Sequence, residues 1–549
     1  MRKKLVSVML CLALAVTACA CGNQQETQGS STSEKIESST PTTESASKES
    51  EVADAEKSLY PIVDEPIKVT GLLAGQDMTN SDRIVWEKVS EITGIEFEWI
   101  NIDGETLSVY LAGEEWPDFI HINLNSTLVN DYGVEGGMFV DYSEYLDVMP
   151  NLQKVFEDYP EAKKAVTESD GKIYRLPMIE KSATATQARA YYRTDILEDA
   201  GLKVPTTTEE FYNALKVLKD KNGGDPAFAP RDLKETGYWG LVLYSAFGSS
   251  VNADFEDDGT GKVAYMRTSD QYKLYLEFMH KLYDEGLMNQ EYLTLDNQAT
   301  LALAQEGTTA FLGDEAHSLK DTDFADGQFH LSACVPFTSE YDSEIKVLGQ
   351  LPISLSDFFI NAESEYVEEL CKAFDIMFAS EEVVEGSGLY GASFCYGLEN
   401  VHWKYNNDGS NTYEFILPEG YNGSFTDFQY KDLIFRNAGL VVAFADYITS
   451  TPGNGQARQK AFVENVMPYH CDDSEVFPTN FLKFTSDEQY VITQKYTDIQ
   501  SYMNEMKAKF ISGVKDIETD WDEYCSTLEK MGINDVLEVY QAAYDRWNQ

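Results

Sequence analysis

The chain has 549 residues and a formal net charge of −51, with 93 acidic against 42 basic residues. Proteins hold phosphate backbones with concentrated Lys and Arg, so this charge argues against nucleic acid as a partner. The length exceeds that of one ordinary hydrophobic core, and we expect two lobes.

The N-terminus has the features of a lipoprotein signal. A basic start at residues 2–4 precedes an apolar run over residues 5–16, which is shorter than the roughly 20 residues needed to cross a bilayer. The run ends in Val16-Thr17-Ala18-Cys19, where a branched residue and two small residues precede a cysteine. We expect residues 1–18 to be removed and Cys19 to be lipidated, with Cys21 as the alternative in a second register.

Residues 19–58 are rich in Ser, Thr and Glu and contain almost no large apolar side chains. Such a composition cannot bury enough surface to offset chain entropy, so it predicts a disordered tether. A tether that follows a lipid-modified cysteine would hold a folded domain at the outer face of a cell membrane.

The folded region opens with alternating strands and helices. Residues 67–70 and 95–99 are predicted strands, and residues 81–93 are a predicted helix with Gly94 as its C-terminal cap. A third strand at residues 118–122 gives a βαβ pattern and a parallel sheet. Ligands of such sheets bind at the carboxyl ends of strands, where the polar side chains are Gln76, Asp77, Asn123 and Asn125. Turn and helix-cap roles are an equal alternative for these four residues.

A distinctive segment follows at residues 191–207. It reads Tyr191-Tyr192-Arg193-Thr194-Asp195-Ile196-Leu197, then Gly201-Leu202, then Pro205-Thr206-Thr207. Thr207 and Glu210 have the spacing of a capping box, which predicts a helix start. The whole segment resembles the extracellular solute-binding proteins of carbohydrate ABC importers.

Further segments carry the same resemblance along the mature chain. They are Trp116-Pro117-Asp118, Gly171-Lys172-Ile173-Tyr174-Arg175-Leu176-Pro177, Tyr396-Gly397-Leu398-Glu399-Asn400-Val401-His402-Trp403, and the tail containing Asp520-Trp521-Asp522-Glu523-Tyr524 and Tyr540-Gln541-Ala542-Ala543-Tyr544-Asp545-Arg546-Trp547. Asn400 stands where the family has a glycine. The tail is similar to the C-terminal helices of the large, lipoprotein-type oligosaccharide-binding members.

The resemblance implies a two-lobed α/β fold of periplasmic-binding-protein type II, with each lobe a mixed sheet flanked by helices and a sugar held in a cleft at the hinge. We expect lobe 1 to comprise residues 59–185 and 346–405, and lobe 2 to comprise residues 186–345 and 406–549 with the C-terminal helices. The implied partners are a carbohydrate ligand and the membrane permease of an ABC importer, and we expect a monomer. The alternatives are a surface glycan-processing enzyme and a binder of a non-sugar solute such as a peptide.

Sugar recognition needs flat aromatic faces and planar polar groups. We therefore single out Trp239 and Trp403 as stacking platforms and Arg193 as a hydrogen-bond donor to sugar. Burial in a lobe core is the alternative for both tryptophans, and a structural role near the hinge is the alternative for Arg193. The sequence contains no nucleophile elbow, no His-Glu-x-x-His motif and no phosphate-binding glycine loop, so we do not expect an enzyme.

Some oligosaccharide binders of this group carry a calcium loop soon after the proline-threonine helix. The corresponding segment here keeps Asp220, Asn222 and Asp225 but lacks a full ligand set, so no metal cofactor is expected. The segment at residues 254–259 imitates the opening of an EF-hand, but Tyr265 stands where a bidentate Glu is required. A hairpin turn is predicted there instead.

Overall fold

The computed structural model describes residues 18–19, 59–74, 83–113, 115–122, 124–179, 190–231, 238–248, 254–343, 353–406, 412–421, 428–433, 447–448, 461, 464–466, 469 and 476–549. Within these residues, no helix is both long enough and apolar enough to cross a bilayer.

The strands of the described residues are mostly short. In chain order they are β1 (Ala18–Cys19), β2 (Ile67–Ala74), β3 (Ile95–Ile102), β4 (Phe119–His121), β5 (Leu176–Ile179), β6 (Tyr191–Arg193), β7 (Phe255–Asp257), β8 (Val263–Tyr265), β9 (Phe311–Leu312), β10 (Leu331–Ala333), β11 (Ile353–Ser356), β12 (Phe358–Ile360), β13 (Trp403–Tyr405), β14 (Thr412–Phe415), β15 (Tyr447–Ile448) and β16 (Val476–Phe477).

The α-helices of the same residues range from one turn to seven turns. In chain order they are α1 (Ile84–Thr93), α2 (Leu107–Leu111), α3 (Ser126–Val129), α4 (Pro150–Asp158), α5 (Pro160–Val166), α6 (Thr194–Asp199), α7 (Thr208–Lys221), α8 (Tyr238–Tyr244), α9 (Asp270–Asp284), α10 (Asn297–Gln305), α11 (Val367–Asp375), α12 (Ser393–Tyr396), α13 (Ser486–Ile511), α14 (Ile517–Met531) and α15 (Ile533–Trp547).

Lobe 1 is built on a four-stranded sheet in the order β12-β4-β2-β3. Strand β2 is parallel to both β3 and β4, and β12 is antiparallel to β4. The predicted βαβ unit is therefore confirmed. Helix α1 ends where the sequence predicts, because Gly94 adopts a left-handed φ of 79° and its N–H bonds to the carbonyl of Ser90. Large apolar side chains of the strands and flanking helices form the core of this lobe, among them Val69, Phe119, Phe358 and Phe374.

Lobe 2 has a separate core around the antiparallel sheet β10-β6-β9. Helices α7 to α9 contribute to this core, and so do the C-terminal helices α13 to α15. Its fully buried members include Tyr192, Leu215, Tyr275, Phe311 and Val536. The described residues thus divide into two α/β units, as the sequence predicts.

The two cores also show where the chain passes between the lobes. Strands β5 and β11 form an antiparallel pair, and each lies at the lobe-1 end of a connection to lobe 2. A later segment returns to lobe 1 as well, because Phe428, Leu433 and Phe481 pack in its core. Lobe 1 therefore continues past the expected limit at residue 405, since these large apolar side chains are buried with it.

Candidate functional site

The carboxyl edge of the lobe-1 sheet is adjacent to the hinge strands. Strand β4 ends at His121, and the antiparallel β12 begins beside it at Phe358, so Asp357 lies at the same edge. The Nδ1 atom of His121 is 3.2 Å from the carbonyl oxygen of Asp357, and the His121 ring stacks on Phe358 at 4.2 Å. These contacts position the residues that connect β11 to β12 against the end of β4.

A group of buried charges surrounds Asp357. The Nη1 atom of Arg175 is 3.6 Å from Oδ1 of Asp357, and Nε of Arg175 is 3.9 Å from Oε1 of Glu168. The Lys483 amine lies 2.8 Å from the same Glu168 oxygen. Burial raises the pKa of Asp357 to about 6, against the opposing effect of Arg175 and Lys483. Burial also lowers the pKa of Lys483. The charges of two carboxylates and two cations thus offset one another in a largely buried cluster.

Some polar atoms of this edge have no hydrogen-bond partner among the described residues. They are Nε of Arg175, Oγ of Ser356 and Oδ1 of Asp357, all buried. Since buried polar atoms are almost always hydrogen-bonded, such a set marks a place where hydroxyl groups of a ligand or ordered water would fit. We define these three residues as the polar edge of lobe 1.

An aromatic cluster lies farther along lobe 1, around β13 and β14. The Tyr390 hydroxyl donates to Oε2 of Glu399 at 2.8 Å. Tyr405 is half-buried, and burial together with the Glu399 carboxylate raises its pKa. A partly exposed ring beside a carboxylate is the kind of pair that can bind a sugar by its apolar face and its hydroxyls.

Two family models match parts of this chain. A family model described as bacterial extracellular solute-binding protein matches residues 76–384, which is more than half of the chain. The chain belongs to this family. A second model, described as a domain of unknown function (DUF3502), matches residues 480–549.

Several characterised proteins resemble this solute-binding protein. The fructooligosaccharide ABC transporter substrate-binding protein FusA of Streptococcus pneumoniae is 24% identical over 489 residues, covering 85% of this chain and 87% of FusA. The polygalacturonan/rhamnogalacturonan-binding protein YtcQ of Bacillus subtilis is 26% identical over 44% of this chain and 48% of YtcQ. These matches confirm the family resemblance recognised in the sequence.

Solved structures show the same fold. An extracellular solute-binding protein from Bifidobacterium longum subsp. infantis has a TM-score of 0.69 at 19% identity, covering 88% of this chain and 99% of that chain. A solute-binding protein from Bifidobacterium longum infantis described as HMO-binding has a TM-score of 0.67 at 20% identity with the same coverage. The two-lobed solute-binding fold is therefore confirmed.

Within this solute-binding protein, both predicted platforms are buried, Trp239 in the lobe-2 core and Trp403 in the aromatic cluster around β13 and β14. Trp403 is 1% exposed, packs among tyrosines and donates its Nε1–H to the carbonyl of Gly397 at 2.8 Å. Trp239 is 5% exposed and stacks on Phe211 in the core of lobe 2. The structure favours the core interpretation of both residues, because their ring faces are covered by other side chains.

Arg193 also forms its hydrogen bonds within lobe 2. Its Nε and Nη2 donate to the two carboxylate oxygens of Asp195 at 2.8 and 2.5 Å, and its Nη1 donates to the carbonyl of Ala304 at 2.9 Å. Its guanidinium also lies 4.3 Å from the centre of the Phe324 ring. This arrangement favours the structural alternative over a hydrogen bond to sugar.

The remaining predicted residues divide into two sets. Asn125 is the N-cap of α3 and accepts a hydrogen bond from the Leu128 N–H at 3.0 Å, which is the capping alternative. The backbone of Cys19 pairs with Val476. The others lie outside the described residues: Gln76, Asp77, Asn123 and Cys21.

Of the three candidate calcium residues, Asn222 is engaged in another contact. The side-chain amide of Asn222 donates to the carbonyl of Thr308 at 2.8 Å, while Asp220 and Asp225 are exposed. The predicted hairpin is confirmed, because β7 pairs with β8 and Asp257 accepts the backbone N–H groups of the turn. Across the described residues, no group of three or more His, Cys, Asp or Glu side chains could hold a metal ion.

Proposed function

We propose that this protein is the substrate-binding component of an ABC importer and captures an oligosaccharide between its two lobes. The observation that carries the proposal is the likeness to FusA, which extends over 85% of this chain and 87% of FusA. The membrane permease is the expected partner, and a lipid on Cys19 or Cys21 is the expected attachment to the outer face of the cell membrane.

Capture by closure follows from the two-lobed architecture. A ligand that contacts both lobes binds the closed form better than the open form, so it shifts the protein toward closure, and a permease can recognise the closed form. On lobe 1, the polar edge supplies hydrogen-bonding groups for hydroxyls, and Tyr405 with Glu399 supplies an aromatic face beside a carboxylate. This chemistry suits a neutral sugar and requires no catalytic group.

Calorimetric titration of the mature chain tests this proposal. The panel contains kestose, polygalacturonan fragments, human-milk oligosaccharides and a mixture of short peptides, after a thermal-shift screen in which a ligand at 100 times its Kd adds about 2.7 kcal/mol of stability. We expect one class of glycan to bind with a stoichiometry of one. Binding of peptides alone would contradict the carbohydrate assignment, and conversion of the bound glycan into product would favour the enzyme alternative.

A matched pair of variants locates the ligand. Tyr405→Ala removes the partly exposed ring of the aromatic cluster, and we expect the affinity to fall about tenfold because a stacking face and its buried area are lost. Tyr490→Ala is the control, because Tyr490 is 67% exposed on α13 and lies outside the described cores. Equal affinities for the two variants would remove Tyr405 from the proposed site.

A further inference from the structure

The C-terminal unit, residues 476–549, is anchored on lobe 2. The Tyr524 hydroxyl of α14 donates to the carbonyl of Arg267 at 3.0 Å, and Gln541 of α15 accepts the Val263 N–H at 2.7 Å. Apolar side chains of all three helices belong to the lobe-2 core. This unit coincides with the match to a domain of unknown function, residues 480–549.

The same unit also reaches across to lobe 1. Phe481 is buried in the lobe-1 core, and the Lys483 amine pairs with Glu168 at 2.8 Å. From the opposite direction, the Lys164 amine of α5 donates to the carbonyl of Trp547 at 2.9 Å. Trp547 is half-buried and packs against both lobe cores. The C-terminal unit therefore connects the two lobes, in addition to the hinge strands β5 and β11.

The residues that reach lobe 1 are tied to one another. Arg546 donates to both carboxylate oxygens of Glu488 at 2.9 and 2.5 Å, and it also donates to the carbonyl of Lys483 at 2.7 Å. The Trp547 and Phe481 rings stack at 6.0 Å. We call Phe481, Lys483, Arg546 and Trp547 the brace, since these contacts make the end of α15 and the segment before α13 move together.

The electrostatic balance of lobe 1 depends on the brace. Within lobe 1, Glu168, Arg175 and Asp357 carry two negative charges and one positive charge, and Lys483 supplies the second positive charge. Removing one partner from a buried charge group is strongly destabilising, because a charge is left without compensation. The charges of these four residues therefore cancel only while the C-terminal unit is in place.

The boundary between lobe 1 and the C-terminal unit, which we call the seam, also contains open space. A cavity of about 490 Å³ lies beside the brace and is lined by both lobes, including Lys163, Gly171 and Ala543. This pocket is open to solvent and is not an enclosed void of a core. The lobes are consequently joined here by a few ionic and aromatic contacts next to open space, and these can adjust without disrupting a core.

We propose that the C-terminal unit joins the lobes across the hinge through the brace, in which Lys483 and Trp547 hold lobe 1 against lobe 2 and set the balance between open and closed forms. This assigns a role to the segment that matches a domain of unknown function. The role extends the proposed capture function, but it does not depend on which solute is captured.

Hydrogen exchange of the full mature chain without ligand tests the brace. Lys483→Met removes the charge and keeps most of the side-chain stem, and Trp547→Leu removes the stacked ring. The matched control is Lys495→Met, because Lys495 pairs with Asp535, so both partners of this ion pair lie inside the C-terminal unit. We expect the amides of β5 and β11 to exchange at least about tenfold faster in the first two variants and at the native rate in the control.

The pattern of exchange separates a brace from an ordinary fold residue. Faster exchange throughout the lobe-1 sheet, including β2 and β4, would show that Lys483 only supports the folding of lobe 1 and would overturn the proposal. Native exchange in both variants would overturn it as well. If Lys483→Met does not fold, Trp547→Leu still decides, since its contact lies at the seam. Failure to bind any glycan in calorimetry would refute the capture function and leave this result standing.

Discussion

Replacing Trp403 with Phe distinguishes a core residue from a sugar platform. The smaller ring leaves a cavity of about 40 Å³, which costs about 1 kcal/mol at the known cost per unit volume. The substitution also removes the Nε1–H donor of the 2.8 Å hydrogen bond to the buried carbonyl of Gly397, which costs a further 1–2 kcal/mol or so. We expect the free energy of unfolding to fall by about 2–3 kcal/mol in total.

Scanning calorimetry measures this loss. For a lobe of this size, 2–3 kcal/mol corresponds to a decrease in Tm of roughly 5–10 °C. The control is Trp116→Phe, because Trp116 is half-buried in lobe 1 and its Nε1 has no hydrogen-bond partner among the described residues. The control should lose no more than about 1 kcal/mol.

Ligand titration of the same Trp403→Phe variant completes the test. We expect the affinity for the captured solute to change by less than about threefold, since the covered ring has no free face to offer and only its packing is altered. An unchanged Tm combined with a large loss of affinity would refute the core assignment and restore Trp403 as a stacking platform.

Three further substitutions probe stability. Burial raises the pKa of Asp375 to about 6, so protonation of this carboxyl stabilises the folded state as the pH falls from 7 toward 4. The Asp375→Asn variant lacks this gain. Measured by urea unfolding, its free energy of unfolding relative to the native chain should fall by about 2 kcal/mol between pH 7 and pH 4.5. Arg267→Met leaves the buried Asp254, paired at 2.7 Å, without its cation and should cost about 3–5 kcal/mol in thermal unfolding, whereas Lys88→Met at an exposed pair should cost less than about 1 kcal/mol. Asn400 has a φ of 60°, so Asn400→Gly should leave the Tm nearly unchanged and Asn400→Ala should cost about 1 kcal/mol.

Local features of the fold were predictable because the signals lie within a few residues of one another. Gly94 ends α1 with a positive φ, and Thr207 caps α7 by accepting the Glu210 N–H, as their spacing predicts. The second half of the capping box differs, since the Glu210 carboxylate accepts from the backbone of Thr206. The helix begins at Ile84, three residues after the predicted start at Ser81, because Arg83 is extended and makes no side-chain cap hydrogen bond.

The candidate site was harder to predict because its members come from distant segments. Arg175, Asp357 and Lys483 meet only after lobe 1, the hinge and the C-terminal unit have folded. Sequence patterns also could not decide whether Trp239 and Trp403 were exposed, since that depends on the tyrosines and phenylalanines that the fold places around them. The sequence therefore predicts which residue types suit sugar binding, whereas the packing of the folded chain determines which of those side chains are accessible.

The position of Trp547 has a practical consequence for finding the solute. Among the seven tryptophans, Trp86, Trp239 and Trp403 are at most 5% exposed, whereas Trp547 is half-buried and packs against both lobe cores beside an open cavity. A change in the angle between the lobes would alter the polarity around its indole and shift its emission. We therefore expect the emission of the native Trp547 to change with any solute that alters this angle, so candidate solutes can be screened without attaching a dye.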